Sequence, residues 1–148
     1  MIFYIGSDHN GKELKDHLLA YLLRSNYQVI DKGDKKFDPT DDFPLFSAQV
    51  VNAIKQSEDA DPRGILICGS GQGMCMAANR FKGIRAALCW NIQEAHSARN
   101  DDNANVLCLS ASSTSQDEAE AIVNVWINTA FAGAPRYIRR LKELDDLV

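Results

Sequence analysis

The sequence has no long apolar stretch and no excess of positive charge, and each absence excludes a class of protein. No apolar run approaches the roughly 20 residues that a membrane-spanning helix needs. The 16 lysines and arginines are outnumbered by 20 aspartates and glutamates, and this formal net charge of -4 argues against nucleic acid as a partner. The first nine residues, MIFYIGSDH, lack the basic start of a signal peptide. We therefore expect a cytoplasmic protein that binds neither membranes nor nucleic acid.

Cysteine and histidine are also scarce. The four cysteines have no Cys-x-x-Cys spacing, and the three histidines have no spacing typical of paired metal ligands. This pattern argues against a disulfide framework and predicts no metal site. The residues concerned are Cys68, Cys75, Cys89, Cys108, His9, His17 and His96.

Five short apolar runs alternate with helical patterns along the chain. They cover residues 2–5, 28–30, 64–68, 84–89 and 105–109. Strands that alternate with helices form βαβ units and a parallel sheet. The sequence therefore predicts an α/β fold, in which residues 1–148 form a single Rossmann-like α/β/α sandwich. We expect a five-stranded parallel sheet in the flavodoxin-like order 2-1-3-4-5 and a C-terminal helix that begins at Pro135.

The third apolar run ends in a thiol and a glycine-rich turn. Cys68 is followed by Gly69, Gly71 and Gly73 at alternate positions. Such a turn exposes backbone N–H groups at the start of a helix, where the peptide dipoles favour negative charge. The spacing fits neither the G-x-G-x-x-G fingerprint nor a P-loop, so we expect no nicotinamide or nucleoside triphosphate site and no cofactor. The thiol is suited to chemistry on an anionic ligand; an inert core cysteine beside a tight turn is the alternative.

A second group of polar residues, Ser7, Asp8 and His9, follows the first strand. In an open parallel sheet, ligands bind at the carboxyl ends of the strands near the point where the strand order reverses. The first and third strands are neighbours in the predicted order. We therefore expect Asp8, His9 and Cys68 to converge.

Five segments together resemble one known family. They are SDHNG (7–11), QVIDKG (28–33), DDFP (41–44), ILICGSGQGMCMAANRFKGIRAAL (65–88) and NANVLCL (103–109). The resemblance is to ribose-5-phosphate isomerase B and the galactose-6-phosphate isomerase subunits, and it covers essentially the whole chain. It implies a metal-independent aldose-ketose isomerase that acts through an enediolate, with ribose 5-phosphate to ribulose 5-phosphate as the default reaction. It also implies a homodimer or dimer of dimers with active sites at the subunit interface.

The same resemblance implies roles for the residues around the glycine-rich turn. Cys68 matches the family's proton-abstracting base. The loop that holds the developing enediolate corresponds to Gly69, Ser70, Gly71, Gln72 and Gly73. Hydrogen-bond donors placed where negative charge grows contribute roughly 3 kcal/mol each to such a reaction.

The resemblance also assigns residues that contact the rest of the substrate. Asp8 and His9 match the acid and imidazole that contact sugar hydroxyls, the ring oxygen or the phosphate. Arg136 and Arg140 match the phosphate-binding arginines, and their i, i+4 spacing places both on one helix face. A solvated basic patch near a helix end is the alternative.

Two positions depart from the family pattern. Members that act on ribose 5-phosphate carry His-Asn-x-x-Asn before the fifth strand, and that histidine opens the furanose ring. This chain has Asp101 at the catalytic position and Asp102 at the substrate-binding position that follows. Burial and mutual repulsion can raise the pKa of one of two adjacent acids until it donates a proton; two solvated carboxylates are the alternative. Ser112 replaces an arginine that the family donates across the interface to the phosphate.

Three alternatives stay open at this point. The substrate can be another pentose or hexose phosphate, or the chain can be a noncatalytic sugar-phosphate-binding subunit. The presence of Cys68, Ser70 and Asp8 favours an enzyme, because binding alone needs no base. The third alternative is a flavodoxin-like signalling or redox domain, which the absence of an acidic phospho-acceptor pocket and of Cys-x-x-C disfavours.

Overall fold

The computed structural model describes residues 1–147 and contains one sheet with helices on both faces. The strands are β1 (Ile2–Ser7), β2 (Gln28–Asp31), β3 (Pro62–Cys68), β4 (Ala86–Leu88) and β5 (Val106–Ser110). The helices are α1 (Lys12–Arg24), α2 (Phe43–Gln56), α3 (Gln72–Ala78), α4 (Ile92–Asn100), α5 (Gln116–Asn128) and α6 (Pro135–Asp145), and a short 3-10 helix (His9–Gly11) precedes α1. Within this part of the chain, no helix combines the length and the apolarity that crossing a membrane requires.

The strands are all parallel, in the order β2-β1-β3-β5-β4. This confirms the predicted fold class, but the last two strands are exchanged relative to the predicted order 2-1-3-4-5. The exchange follows from burial, because all five residues of β5 are buried whereas the three residues of β4 are only half-buried. The more apolar strand takes the interior place and the short one takes the edge. As a result, the loop that follows β5 lies beside the end of β3.

Side chains of the central strands alternate between two buried faces. Ile65 and Ile67 belong to the core beneath α1, α4 and α5, whereas Leu66 and Cys68 belong to the core beneath α2 and α3. This alternation is the period of two that extended backbone imposes. Cys68 therefore ends β3 with its side chain on the α2–α3 side of the sheet.

The segment between β2 and α2 departs from its sequence-based interpretation. Its charge and proline predict an exposed loop, yet Gly33 and Asp34 are buried. The backbone N–H groups of Lys32 and Asp34 donate to the carbonyls of Ile5 (2.7 Å) and Ser7 (3.1 Å), which continues the β1–β2 pairing past the end of β2. This extension brings the later residues of the loop over the end of β1.

Candidate active site

The predicted site residues lie at two opposite ends of the sheet. We call the end where β1, β3 and β5 finish the carboxyl edge, and the end where they begin the amino edge. The carboxyl edge carries Asp8, His9, Cys68, Gly69, Ser70, Gly71, Gln72 and Gly73, whereas the amino edge carries Asp101 and Asp102 and, next to them, Arg136 and Arg140. Since β3 has seven residues at about 3.3 Å each, the two edges are roughly 20 Å apart within one chain.

Cys68 is buried at the end of β3 and accepts a hydrogen bond from the backbone of its own loop. The Gly71 N–H donates to the Cys68 Sγ at 3.2 Å. This hydrogen bond fixes the position of the sulfur at the start of the loop. Gly71 has φ +75°, and a Cβ there would lie 2.5 Å from Leu88 Cδ1, so only glycine fits. A Cβ on Gly73 would lie 2.9 Å from the ring of Phe43, which closes the other side of the loop.

The rest of the glycine-rich loop is held by β5 and by its own backbone. The Ser110 hydroxyl and the Ser112 N–H donate to the Gly69 carbonyl at 2.8 and 2.9 Å. The Gln72 N–H donates to the Ser70 Oγ at 3.3 Å, and both of these residues are exposed. The Ser70 hydroxyl accepts this bond and can still donate its own hydrogen. Ser112, at the family's arginine position, serves here as part of the loop's support.

Asp8 reaches the same edge from β1. Its side chain is buried, and its Oδ1 accepts from the Gly11 N–H at 3.1 Å. Burial raises the pKa of Asp8, and the Gly11 hydrogen bond and the nearby His9 oppose the rise. A Cβ on Gly69 would lie 3.6 Å from Asn10 Cβ, so the loops after β1 and β3 are in contact. The predicted convergence of these two strand ends is confirmed.

His9 has a partner that the sequence analysis missed. Its backbone N–H donates to Asp41 Oδ1 at 3.1 Å, and its ring Nδ1 also bonds that oxygen. The hydrogen bond to Asp41 raises the pKa of His9 above its ordinary value of 6.5. Phe37 packs edge-on against the imidazole, with ring centroids 6.2 Å apart. The only sequence signal for Asp41 was its place in the DDFP segment.

The side chains of Asp8, His9 and Asp41 are of types that ligate metals, and one donor atom from each lies within 4.8 Å of the others. However, the His9 Nδ1 is already bonded to Asp41 Oδ1. A metal would have to displace this hydrogen bond. We therefore interpret the group as a histidine–aspartate pair beside a buried acid.

The loop between α4 and β5 lies at the amino edge because α4 runs antiparallel to the strands. The Asn105 carboxamide accepts from the Arg85 N–H at 2.8 Å, and its backbone carbonyl accepts from the Gly64 N–H at 2.9 Å. These contacts fix the loop where β3 and β4 begin. Asp101 and Asp102 therefore do not approach Cys68 of the same chain.

The two adjacent acids differ in their surroundings. Hydrogen bonds from Asn100 (2.7 Å) and Tyr137 lower the pKa of Asp101, so this carboxyl is ionised at neutral pH. Desolvation, and next the charge of Asp101, raise the pKa of Asp102, while Arg140 opposes the rise. Asp101 can accept a hydrogen bond, but it is poorly suited to donate the proton that opens a sugar ring.

Arg136 and Arg140 extend from α6 at the same edge. The Arg136 guanidinium lies 4.5 Å from the ring centroid of Tyr137 and donates to its hydroxyl at 2.9 Å. Both arginines are exposed, and no described residue of α6 is buried. The helix begins near the end of α4, since the Ala132 N–H donates to the Asn100 carbonyl at 3.0 Å. Two cations are thus presented to solvent beside Asp101 and Asp102.

Known proteins match the chain over nearly its full length. The family model described as Ribose/Galactose Isomerase matches residues 3–144. A Mycoplasma genitalium protein named probable ribose-5-phosphate isomerase B is 42% identical over 141 residues, 95% of this chain and 91% of the relative. Ribose-5-phosphate isomerase B of Clostridium thermocellum has a structure with a TM-score of 0.94 at 37% identity, covering 99% of this chain and 97% of that one. The M. genitalium isomerase with bound ribulose-5-phosphate gives a TM-score of 0.92 at 39% identity, covering 99% and 95%. The chain therefore belongs to the ribose/galactose isomerase family.

Proposed function

We propose that this protein is an aldose-ketose isomerase that interconverts ribose 5-phosphate and ribulose 5-phosphate. The observation that carries the proposal is the Cys68 thiol, which accepts from the Gly71 N–H at the carboxyl edge, where the adjacent strand β1 also brings the buried Asp8. The ribulose-5-phosphate bound to the M. genitalium relative is in keeping with this substrate class. Conversion of ribose 5-phosphate to ribulose 5-phosphate by the purified chain, followed by NMR, tests the proposal. Absence of conversion would contradict it.

In the proposed reaction, the Cys68 thiolate removes the C2 proton of open-chain ribose 5-phosphate. Negative charge moves to the carbonyl oxygen at C1, and the proton of the C2 hydroxyl passes to that oxygen. Return of the proton from Cys68 to C1 then yields the ketose. Since the Gly71 N–H is bonded to the sulfur, its role is to hold the sulfur in position. The developing enediolate then accepts hydrogen bonds from the Ser70 hydroxyl and from the amides of Gly69 and Gly73. The Ser70 hydroxyl is held by the Gln72 N–H.

We further propose that the phosphate and the far end of the sugar are bound by the amino edge of a second copy of the chain. Within one chain, β3 separates the arginines of α6 from Cys68, and a sugar phosphate is too short to span that distance. A two-fold axis places the carboxyl edge of each protomer against the amino edge of the other. The two copies then form two complete sites.

The exposed apolar side chains support this assembly. On α6, Ile138 and Leu144 are about half exposed. Near the carboxyl edge, Leu45, Met76 and Trp90 are each more than half exposed. Apolar patches of this kind are typical of surfaces that a partner covers.

Replacing both Arg136 and Arg140 with alanine is expected to raise KM about 100-fold, since two charged hydrogen bonds to the phosphate are lost. The kcat should change much less, because the phosphate is bound equally in the ground and transition states. Steady-state kinetics with ribulose 5-phosphate measure both quantities. Arg139→Ala is the matched control, because Arg139 lies on the same helix and pairs with Glu143 at 3.6 Å. An unchanged KM in the double variant would show that the two arginines are surface charges.

Asp101 leads to a prediction about ring opening. Because its lowered pKa makes it a poor acid, we expect the enzyme to depend on spontaneous opening of the ribose 5-phosphate ring. The rate with ribose 5-phosphate should then stop rising at high enzyme concentration, whereas the initial rate with ribulose 5-phosphate should keep rising. Asp101→His is expected to raise this limiting rate about tenfold or more, and Asp101→Asn, which adds no acid, is expected to leave the limiting rate unchanged. A rate that rises in proportion to enzyme with both substrates would mean that another group opens the ring.

A further inference from the structure

We propose that Asp41 is a positioning residue for His9, and that it holds the imidazole as a cation whose Nε2 binds the substrate. This inference rests on the proposed function for the identity of the ligand, a sugar phosphate. It adds a residue that comes from the loop between β2 and α2, outside the strand ends that supply the rest of the site.

The geometry fixes the orientation of the imidazole. A single oxygen, Asp41 Oδ1, accepts from both the backbone N–H and the ring Nδ1 of His9. Two bonds to one acceptor restrict rotation of the ring, and Phe37 covers one side of it. Among the described residues, none hydrogen-bonds His9 Nε2. That nitrogen is therefore the one left for a ligand at the carboxyl edge.

The burial of Asp41 requires a compensating charge. Its side chain is only 8% exposed, and its second oxygen, Oδ2, has no hydrogen-bond partner within the described part of the chain. A carboxylate removed from water in this way is costly unless a cation lies against it. His9 is the cation that the structure places there.

The surrounding charges act in the same direction. Three further carboxylates, those of Asp8, Asp34 and Asp38, also interact with His9. Other charged side chains line the clefts that adjoin His9 and Asp41, and they are Lys12, Glu13, Asp16, Lys36 and Asp42. Acids outnumber bases in this set, and Asp41 is the acid in direct contact. The hydrogen bond to Asp41 is the largest cause of the raised pKa of His9; burial opposes the rise, and the charges of Asp41, Asp8 and Asp34 add to it.

The consequence is a positive charge on His9 that persists above pH 6.5, where an ordinary histidine is mostly neutral. An unperturbed histidine is mostly neutral above pH 6.5, whereas a histidine with a raised pKa keeps its proton until the pH passes the raised value. A charged hydrogen bond from Nε2 to a phosphate or sugar oxygen is stronger than a neutral one. The site thus keeps a cation at the carboxyl edge although Ser112 stands where the family has an arginine.

The first test needs no catalysis. The pH titration of His9, followed by NMR and assigned by the signal that disappears in His9→Gln, should give a midpoint above 6.5 in the wild-type protein. Asp41→Asn retains an oxygen acceptor and removes the charge, and it should lower this midpoint. A wild-type midpoint at or below 6.5 would overturn the proposal, whatever the behaviour of the variant. This titration remains a valid test if the protein proves to have no isomerase activity.

The second test uses the reaction. In Asp41→Asn, KM at pH 8 is expected to rise about tenfold, with kcat less affected. KM should also rise with pH as His9 loses its proton, and in Asp41→Asn this rise should begin at a lower pH than in wild type. Asp38→Asn is the comparison variant, because Asp38 lies on the same loop and acts on His9 only through its charge, while its hydrogen bonds go to the N–H and hydroxyl of Thr40. Its KM profile should shift much less than that of Asp41→Asn. Equal KM–pH profiles for Asp41→Asn and wild type would refute a positioning role even if the activity itself is confirmed.

Discussion

Replacing Cys68 with alanine is expected to slow isomerisation about 10³-fold or more, because the reaction loses the base that removes the C2 proton. The fold should persist, since the substitution removes a single sulfur atom from a small buried side chain, at a cost of about 1 kcal/mol. Kinetics with both pentose phosphates, together with a thermal melt of the variant, measure the two effects separately.

Cys75→Ala is the matched control for this variant. Cys75 lies seven residues further along, in α3, and its thiol donates to the Ala86 carbonyl at 3.4 Å, away from the glycine-rich loop. Removal of the Cys75 thiol is expected to change kcat/KM less than threefold, as is usual for a substitution away from the reacting groups. Near-wild-type activity in Cys68→Ala would show that the thiol is not the base. Cys68 would then be an inert core cysteine beside a tight turn.

Mixing two variants that are each defective at low substrate concentration is expected to restore activity. If each site combines the carboxyl edge of one protomer with the amino edge of the other, a Cys68→Ala protomer still offers intact arginines, and an Arg136→Ala/Arg140→Ala protomer still offers an intact thiol. A mixed dimer then contains one complete site. With random exchange of subunits, about a quarter of all sites are complete, so the mixture should reach about a quarter of wild-type activity at low substrate concentration.

The measurement is the activity of the two variants after joint unfolding and refolding, compared with each variant refolded alone. A mixture of Cys68→Ala with Cys68→Ala/Arg139→Ala is the control, because neither protomer offers a thiol. Recovery only in the first mixture supports shared sites. No recovery, with mixed dimers present in the sample, would place all the groups of a site in one chain.

The fold was predictable from the sequence except for one feature. Alternation of apolar runs with helical patterns predicts five parallel strands, and the structure confirms them. The order of β4 and β5 was predicted wrongly, because local periodicity carries no information about which strand becomes the edge. A signal was nevertheless present: the run before Cys89 includes Arg85 and small alanines, whereas the run 105–109 is more apolar, as an interior strand requires.

The site was predictable to the extent that it follows from strand ends. Asp8 follows β1 and Cys68 ends the adjacent strand β3, and parallel pairing places both at one edge. The position of Asp101 could have been anticipated in the same way, since residues that precede a strand lie at the opposite edge. Asp41 could not, because its bond to His9 joins residues 32 apart through a loop that has no regular pattern. The proposed sharing of the site between two chains was implied by the family resemblance and not by local sequence.

Exchange of the substrate proton with solvent tests the central claim most directly. The purified protein is incubated with ribose 5-phosphate in D2O, and deuterium at C2 of the aldose and C1 of the ketose is followed by NMR. An enediolate formed by a thiolate base predicts deuterium at these carbons with the wild-type protein and none with Cys68→Ala. Ketose formed with complete retention of the original C2 proton, or deuterium incorporation that is undiminished in Cys68→Ala, would contradict the account.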